Sequence, residues 1–289
     1  MTLPNFFIVG APKAGTTSLY HYLEEHPEVY MSPIKETNFF SSKEMQEQEL
    51  YYDATPIQSK NQYLDLFKDV SQEKQVGEAS VSYLYYTDVA KKLQEFNPKA
   101  KIVIMLRNPV DRAFSHFLMD KRLGLSTSSF MDVIQEPKKF PLHFQQYVLL
   151  GNYFHQCSQY INRFGKDNVF ITTYHEFKKD TDGVVRSLLN FLDVDLDVEL
   201  NTNKVHNPYS APKNKLILSV YRNKSIRKFL KLITPSFLVS GVKQLIFKEG
   251  DKPTISREEY NYLVDYFLED IHKLEALIGK NLSSWKMKK

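Results

Sequence analysis

The sequence predicts an α/β fold in which a central, mostly parallel β-sheet is flanked by helices. Two strand-to-helix transitions carry this prediction. In the first, the apolar run at residues 6–9 ends in a glycine loop that leads into the helical spacing of residues 16–25. In the second, the apolar run at residues 101–106 leads directly into a helix. Neither run alternates apolar with polar residues, which is typical of parallel strands covered on both faces.

The loop after the first strand, GAPKAG at residues 10–15, predicts an oxyanion site. Its glycines let backbone N–H groups approach a ligand, and the following helix adds unpaired donors and the positive end of its dipole. The spacing fits the phosphate loop GxxxxGK[ST], but Thr16 stands where that pattern has lysine, and the loop's own lysine is Lys13. The fold is therefore predicted to be P-loop-like, a three-layer arrangement of helices, sheet and helices. A plain glycine turn is the alternative.

The run PKAGTTSL at residues 12–19 resembles the 5′-phosphosulfate loop of sulfotransferases that use 3′-phosphoadenosine 5′-phosphosulfate (PAPS). This resemblance implies that PAPS is the cofactor and that this loop binds its phosphosulfate end. The residues it implies are Lys13, Ala14, Gly15, Thr16, Thr17 and Ser18.

A loop at residues 32–40, SPIKETNFF, follows the first helix and a short predicted strand at residues 28–31. Lys35 and Glu36 precede two phenylalanines there, an arrangement typical of a cleft edge, although a solvated turn explains it equally well. The polar, tyrosine-rich residues 41–74 either shape an acceptor pocket or cover the surface.

A helix is predicted at residues 61–67 within this segment, followed by a strand at residues 75–78 and a helix that reaches residue 96.

The block LRNPVDRAFSHF at residues 106–117 is the second motif. Arg107 stands at the carboxyl end of the apolar strand, where open α/β sheets bind ligands. Asn108 is a good helix N-cap, and Pro109 suits the first helical turn. The block resembles the 3′-phosphate-binding block of the same sulfotransferases, which implies that Arg107 and Ser115 bind the adenosine 3′-phosphate. A surface arginine and a helical serine are the alternative.

The rest of the chain extends the resemblance. It implies Tyr153 as a cofactor contact, with core packing as the alternative, and Lys213 in the basic loop 204–215, with a solvated loop as the alternative. Residues 222–248 mix basic with apolar side chains and predict packed helices beside the acceptor cleft or a helix on a membrane surface. The remaining predicted elements are helices at 147–164, 184–192 and 256–277 and a strand at 168–173.

Composition limits the classes of protein to consider. With 289 residues, 42% of them apolar, the chain can bury a large core, and we predict one domain over residues 1–289. The formal net charge of +4 suits an anionic cofactor but does not indicate a nucleic-acid partner. The one cysteine, Cys157, is compatible with a reducing compartment. No signal peptide or membrane-spanning helix is evident, so we expect a cytoplasmic protein.

Sulfuryl transfer requires donors for the transferring group, a base for the acceptor proton and firm placement of both substrates, and no metal is obligatory. Lys13 supplies the charge. The chain has no histidine between His26 and His116, where small-molecule sulfotransferases place their base. The heparan and tyrosylprotein sulfotransferases use a glutamate, which implies Glu36 as the base, with Glu78 in reserve. Ala79 stands where the heparan pattern has lysine, so Lys13 or Lys35 must carry that charge.

The predicted function is in-line transfer of the sulfuryl group from PAPS to a hydroxyl of a carbohydrate, lipid or small metabolite, with Lys13 and Glu36 as catalytic residues. One alternative is a nucleoside triphosphate-dependent kinase on a P-loop-like fold, which should need a lysine after Gly15 and a magnesium ligand. The other is a non-catalytic nucleotide-binding module. The sequence predicts neither the acceptor nor the oligomeric state.

Overall fold

A five-stranded parallel sheet organises the chain, as a computed structural model shows. The structure describes residues 3–52, 57, 59–202, 211–212, 247–248 and 253–289. The strands follow the spatial order β2-β3-β1-β4-β5. They are β1 (Phe6–Gly10), β2 (Val29–Met31), β3 (Gln75–Ala79), β4 (Lys101–Leu106) and β5 (Val169–Thr173). Every residue of β1 is buried, as expected for a central strand covered on both faces.

Helices flank the sheet, and each predicted strand-to-helix transition is present. The described helices are α1 (Thr16–Glu24), α2 (Ser42–Glu47), α3 (Lys60–Asp65), α4 (Thr87–Phe96), α5 (Pro109–Leu123), α6 (Phe130–Gln135), α7 (Pro141–Tyr147), α8 (Tyr153–Phe164), α9 (Tyr174–Lys179), α10 (Thr181–Leu192) and the C-terminal helix (Arg257–Ile278). A two-residue antiparallel pair joins Ala211–Pro212 to Phe247–Lys248. The predicted α/β class with a parallel central sheet is confirmed.

The ends of α5 and of the C-terminal helix follow local sequence rules. The Asn108 side chain accepts hydrogen bonds from the N–H groups of Val110 and Asp111, with Pro109 in the first turn as predicted. Ser256 forms a capping box with Glu259, and Gly279 ends the C-terminal helix in the left-handed conformation.

The helix predicted at residues 147–164 starts too early, because α8 begins only at Tyr153. The chain forms a single 3₁₀ turn at Leu149–Gly151 instead. The Asp270 carboxylate then accepts hydrogen bonds from the N–H groups of Tyr153 and Phe154, at 2.8 and 3.2 Å. A side chain 117 residues away in sequence therefore caps this helix, a contact that local pattern does not reveal.

Two predictions concern residues outside the described part of the chain. They are the placement of Lys213 in its basic loop and the packing of most of residues 222–248. The single-domain prediction also stays a prediction.

Gly77 in β3 provides a test of how tightly the sheet packs. A Cβ at this position would lie 2.1 Å from Cζ of Phe6 and 2.7 Å from Sδ of Met31. We expect Gly77→Ala to lower the free energy of unfolding by about 1–3 kcal/mol, the usual cost of overpacking a core. Urea unfolding measures this change.

The control is the double variant Gly77→Ala with Phe6→Leu. Leucine lacks the ring atoms nearest the new methyl group, so Gly77→Ala should cost less in the Phe6→Leu background than in the wild type. An equal cost in both backgrounds would contradict this account of the packing.

Candidate active site

The carboxyl ends of β1 and β4 bring the two sequence motifs together. Arg107, which follows β4, donates a hydrogen bond from Nη1 to the carbonyl of Lys13 at 3.0 Å. Its guanidinium lies 4.8 Å from the centre of the Tyr174 ring, within the range of a cation–π contact. The arginine of the second block is thereby fixed against the loop of the first.

The loop between β1 and α1 reverses direction at Gly15, whose φ of +101° favours glycine. A Cβ there would lie 3.1 Å from the Tyr174 ring and 3.2 Å from Sδ of Met105, so space also restricts this position. No side chain caps α1, and its first N–H groups point out of the helix end as they do in anion sites. Ala14 and Ser18 are buried within this turn.

A cavity of about 330 Å³ adjoins this loop and is lined by four of the predicted site residues and by Lys35, the alternative carrier of positive charge. They are Lys13, Thr16 and Thr17 from the loop and α1, and Lys35 and Glu36 from the segment after β2. Nζ of Lys13 lies 3.5 Å from Sδ of Met119, which also lines the cavity. The remaining described candidates, Ala14, Gly15, Ser18, Arg107, Ser115 and Tyr153, do not line it. The assignments of individual binding residues stay predictions.

Glu36 is held at the cavity from three sides. Its φ of +64° is left-handed, and its N–H donates to the carbonyl of Ala79 at 2.8 Å. One carboxylate oxygen pairs with Nζ of Lys35, and the other accepts the N–H of Val81 at 2.9 Å. The side chains of Lys35 and Glu36 remain 20% and 33% exposed, so a ligand can reach them.

Glu78, the reserve base, lies on β3 with no exposed surface and does not line the cavity. Burial raises the pKa of its carboxyl group, while four hydroxyl donors oppose that rise. Those donors are Ser80 at 2.6 Å, Tyr63 at 2.7 Å, Tyr83 at 2.9 Å and Thr37. Because Thr37 follows Glu36 directly, Glu78 acts as an anchor for the segment that carries the candidate base, and Glu36 keeps that assignment.

Tyr153 is fully buried and donates its hydroxyl hydrogen bond to the carbonyl of Arg107 at 3.0 Å. This contact supports the packing alternative, because the ring has no exposed surface for a ligand. Tyr153 therefore positions the end of β4 and, with it, Arg107. Ser115 is half-buried on α5, and Arg112, one turn earlier, is fully buried.

A polar cluster that the sequence analysis missed lies beside the cavity. Asp120 is fully buried, and its carboxylate accepts hydrogen bonds from three phenols. These are Tyr51 at 2.7 Å, Tyr52 at 2.7 Å and Tyr147 at 2.9 Å. Burial raises the pKa of Asp120, and the three phenols oppose that rise. Polar residues at 112, 116 and 120 recur every fourth position on α5, and this spacing could have indicated one polar helix face.

His116 belongs to this cluster and also lines the cavity. Its Nδ1 lies 3.3 Å from Nη1 of Arg112, which can only donate, so Nδ1 accepts and Nε2 carries the proton. Nε2 then donates to the hydroxyl of Tyr52 at 2.6 Å. Burial, with the charges of Arg112 and Lys13, holds the pKa of His116 well below its usual range. His116 is therefore neutral, and each of its ring nitrogens has a partner in the protein.

A parallel sheet with a glycine loop after its first strand and an arginine at the end of a neighbouring strand is the arrangement of a P-loop-like fold, and its loop and helix N-terminus suit an anionic group. Comparison with known proteins defines the family. The sulfotransferase domain model matches residues 3–231, and the chain belongs to that family.

Solved structures agree with this family. A sulfotransferase from Alicyclobacillus acidocaldarius is 31% identical, with a TM-score of 0.75 over 99% of this chain and 100% of that one. The sulfotransferase domain from the curacin biosynthetic pathway, at 14% identity and a TM-score of 0.52, shares the fold.

Curated relatives are sulfotransferases of greater length. The chain is 32% identical over 117 residues to the membrane-associated sulfotransferase kil1 of Dictyostelium discoideum. The aligned region covers 40% of this chain and 23% of that protein. The chain is also 30% identical over 172 residues to carbohydrate sulfotransferase 15 of Homo sapiens, and this aligned region covers 46% of this chain and 30% of that protein. The matched region therefore spans less than a third of either relative.

Two features are absent from the described residues. No helix there is both long and apolar enough to cross a membrane. No group of three His, Cys, Asp or Glu side chains there is arranged to hold a metal ion.

The burial of Glu78 predicts how the stability of the protein depends on pH. Because burial raises the pKa of its carboxyl in the folded protein, the folded state favours the neutral form, and Glu78 costs stability as pH rises above about 4. Glutamine is always neutral, so the stability of Glu78→Gln relative to wild type should improve as pH rises from about 4, until Glu78 also ionises in the folded protein. Urea unfolding across this range measures the trend.

Glu73→Gln is the control with the opposite sign. Backbone hydrogen bonds from Ser71 and Gln72 lower the pKa of Glu73, so wild type gains stability as this carboxyl ionises and the variant loses that gain. A pH-independent difference between Glu78→Gln and wild type would contradict the raised pKa.

Proposed function

We propose that the chain transfers a sulfuryl group in line from PAPS to the hydroxyl group of an acceptor. The observation that carries this proposal is one cavity that is lined both by Lys13 of the loop with Thr16 and Thr17 of α1 and by the Lys35–Glu36 pair. Charge for the donor and a carboxylate for the acceptor proton therefore adjoin one space. Membership of the sulfotransferase family supports the same reaction.

The residues fit an anionic donor with two phosphate groups. The N-terminus of α1 and Lys13 suit the 5′-phosphosulfate, and Arg107 and Ser115 suit the 3′-phosphate. Arg107 bonds to the backbone of Lys13, so the two anion sites are linked before any ligand binds. PAPS, when bound, supplies an activated sulfuryl group on a phosphate that can leave.

Lys13 and the threonine hydroxyls of the loop stabilise negative charge. With PAPS bound, they would donate to the leaving phosphate and to the oxygens of the transferring group, and each charge-assisted hydrogen bond would contribute about 1.5–3 kcal/mol. Because the cavity is preformed around these donors, little reorganisation is needed during transfer.

Glu36 takes the acceptor proton. Its carboxylate offers roughly four lone-pair sites, of which Lys35 and the N–H of Val81 use one on each oxygen. The remaining sites can accept the hydroxyl proton while both existing contacts hold the carboxylate in position. Lys35 limits the negative charge that Glu36 presents to the transferring sulfuryl group.

The acceptor is proposed to be a carbohydrate, lipid or small metabolite with a free hydroxyl group. The names of the curated relatives, which include a carbohydrate sulfotransferase and a bifunctional heparan sulfate N-deacetylase/N-sulfotransferase, favour a saccharide. We also propose a cytoplasmic location, which the single buried cysteine, Cys157, supports.

Glu36→Gln tests the base. The substitution keeps the shape of the side chain but removes its basicity, so we expect turnover to fall about 10²- to 10⁴-fold. The affinity for adenosine 3′,5′-bisphosphate should change less than about twofold, because the donor site is intact. The measurement is transfer of radiolabelled sulfate from PAPS to whichever sugars, lipids or phenols the wild type sulfates.

Glu28→Gln is the matched control. Glu28 also pairs with a lysine, Lys74, at 2.5 Å, but lies outside the cavity. Its turnover should equal that of the wild type. Undiminished turnover of Glu36→Gln would remove Glu36 from the mechanism.

A further inference from the structure

Aromatic and aliphatic side chains line much of the part of the cavity in which an acceptor would bind next to the donor. Half of its described lining residues, nine of eighteen, are tyrosines or apolar residues. They are Pro12, Met45, Leu50, Tyr52, Val81, Tyr85, Tyr86, Met119 and Leu150.

The hydroxyl groups of two of these tyrosines are already bonded to the protein. Tyr86 donates to Oε1 of Gln48 at 3.0 Å. The hydroxyl of Tyr52 lies 2.7 Å from Oδ1 of Asp120 and 2.6 Å from Nε2 of His116. What these side chains offer a ligand is therefore the ring, and not a polar group.

The ring of Tyr52 is held rigidly. Its hydroxyl donates to the buried Asp120 carboxylate and accepts from His116, whose tautomer is fixed by Arg112. A short network of this kind, fully satisfied and buried at Asp120, fixes the direction of the ring. Tyr52 thus forms a rigid part of the cavity wall, although it lies in the chain segment that follows α2.

Charge in the described lining is confined to Lys13, Lys35 and Glu36, since His116 is neutral. Lys35 and Glu36 compensate each other, and Lys13 belongs to the donor loop. Beyond these residues the described wall is uncharged. Such a wall favours a neutral acceptor over a polyanionic one.

We propose that Tyr52 binds the acceptor, and that the acceptor is an uncharged, ring-bearing hydroxyl compound whose ring packs on Tyr52. This inference rests on the proposed function and narrows its acceptor class. The cavity volume of about 330 Å³ lies at the small end for ligand pockets and suits one or two rings. Phenols and neutral sugars share the required chemistry, because both present a flat or weakly polar ring face beside a hydroxyl group.

The experiment is calorimetric titration of the protein saturated with adenosine 3′,5′-bisphosphate. The probes are 2-naphthol, methyl β-D-glucopyranoside, 1-hexanol and a sulfated heparin disaccharide. We expect at least one of the two neutral ring compounds to bind more tightly than hexanol and the disaccharide. Tyr52→Ala should weaken that binding about tenfold, the loss expected for one aromatic contact and its buried area.

A pair of matched variants separates ligand contact from structural support. Tyr51→Phe and Tyr52→Phe each remove one hydroxyl group that donates to Asp120 at 2.7 Å, but only the residue at position 52 lines the cavity. Tyr51→Phe should leave the affinity for the probe within about twofold of the wild-type value. Tyr52→Phe should weaken probe binding, because the ring at position 52 is then no longer held by its hydroxyl group. The loss should be smaller than in Tyr52→Ala, because the ring itself is kept. The affinity for the bisphosphate should stay constant in all three variants.

Several outcomes would overturn the inference. They are equal losses in Tyr51→Phe and Tyr52→Phe, an unchanged affinity in Tyr52→Ala, tighter binding of the sulfated disaccharide, and no binding of either neutral ring compound to the bisphosphate complex. Naphthol binding alone would identify an aromatic acceptor, and glucoside binding alone a saccharide, and both support the proposal. If the wild type does not bind the bisphosphate, the proposed function itself fails, which is a separate result.

Discussion

Two buried carboxylates, Glu78 and Asp120, fix the walls of the candidate site, and each carboxylate is bound by hydrogen bonds from hydroxyl groups. Glu78 accepts from four hydroxyls and Asp120 from three phenols, and no lysine, arginine or histidine in the described part of the chain forms an ion pair with either. Because an unsatisfied buried carboxylate is very costly, each of the two is held by several donors at once. Glu78 thereby fixes the segment that carries Glu36, and Asp120 fixes Tyr52.

The parallel sheet and the donor half of the site could be predicted because their determinants are local. A continuous apolar run identifies a buried strand, and Asn108 with Pro109 identifies the start of α5, whatever the rest of the chain does. Since the carboxyl ends of parallel strands share one edge of the sheet, the loop of Lys13 and the strand end at Arg107 had to meet.

The acceptor half could not be predicted, because its contacts join segments far apart in sequence. Tyr51 and Tyr52 reach Asp120 across 69 and 68 residues, and composition alone could not decide whether their segment lines a pocket or covers the surface. The start of α8 was misplaced for the same reason, since Asp270 caps it from the C-terminal helix. Only the four-residue spacing of polar side chains on α5 was visible in the sequence, and it does not say which neighbours they meet.

The central claim is that the two motifs form one site for a 3′-phosphorylated adenosine donor, and thermal unfolding with adenosine 3′,5′-bisphosphate tests it most directly. In the presence of a chelator, the bisphosphate at about a hundred times its dissociation constant should add about 2.7 kcal/mol of stability and raise Tm by several degrees. Arg107→Ala should abolish the rise, and ATP with magnesium should produce none. Stabilisation by ATP with magnesium instead, or by neither ligand, would contradict the account.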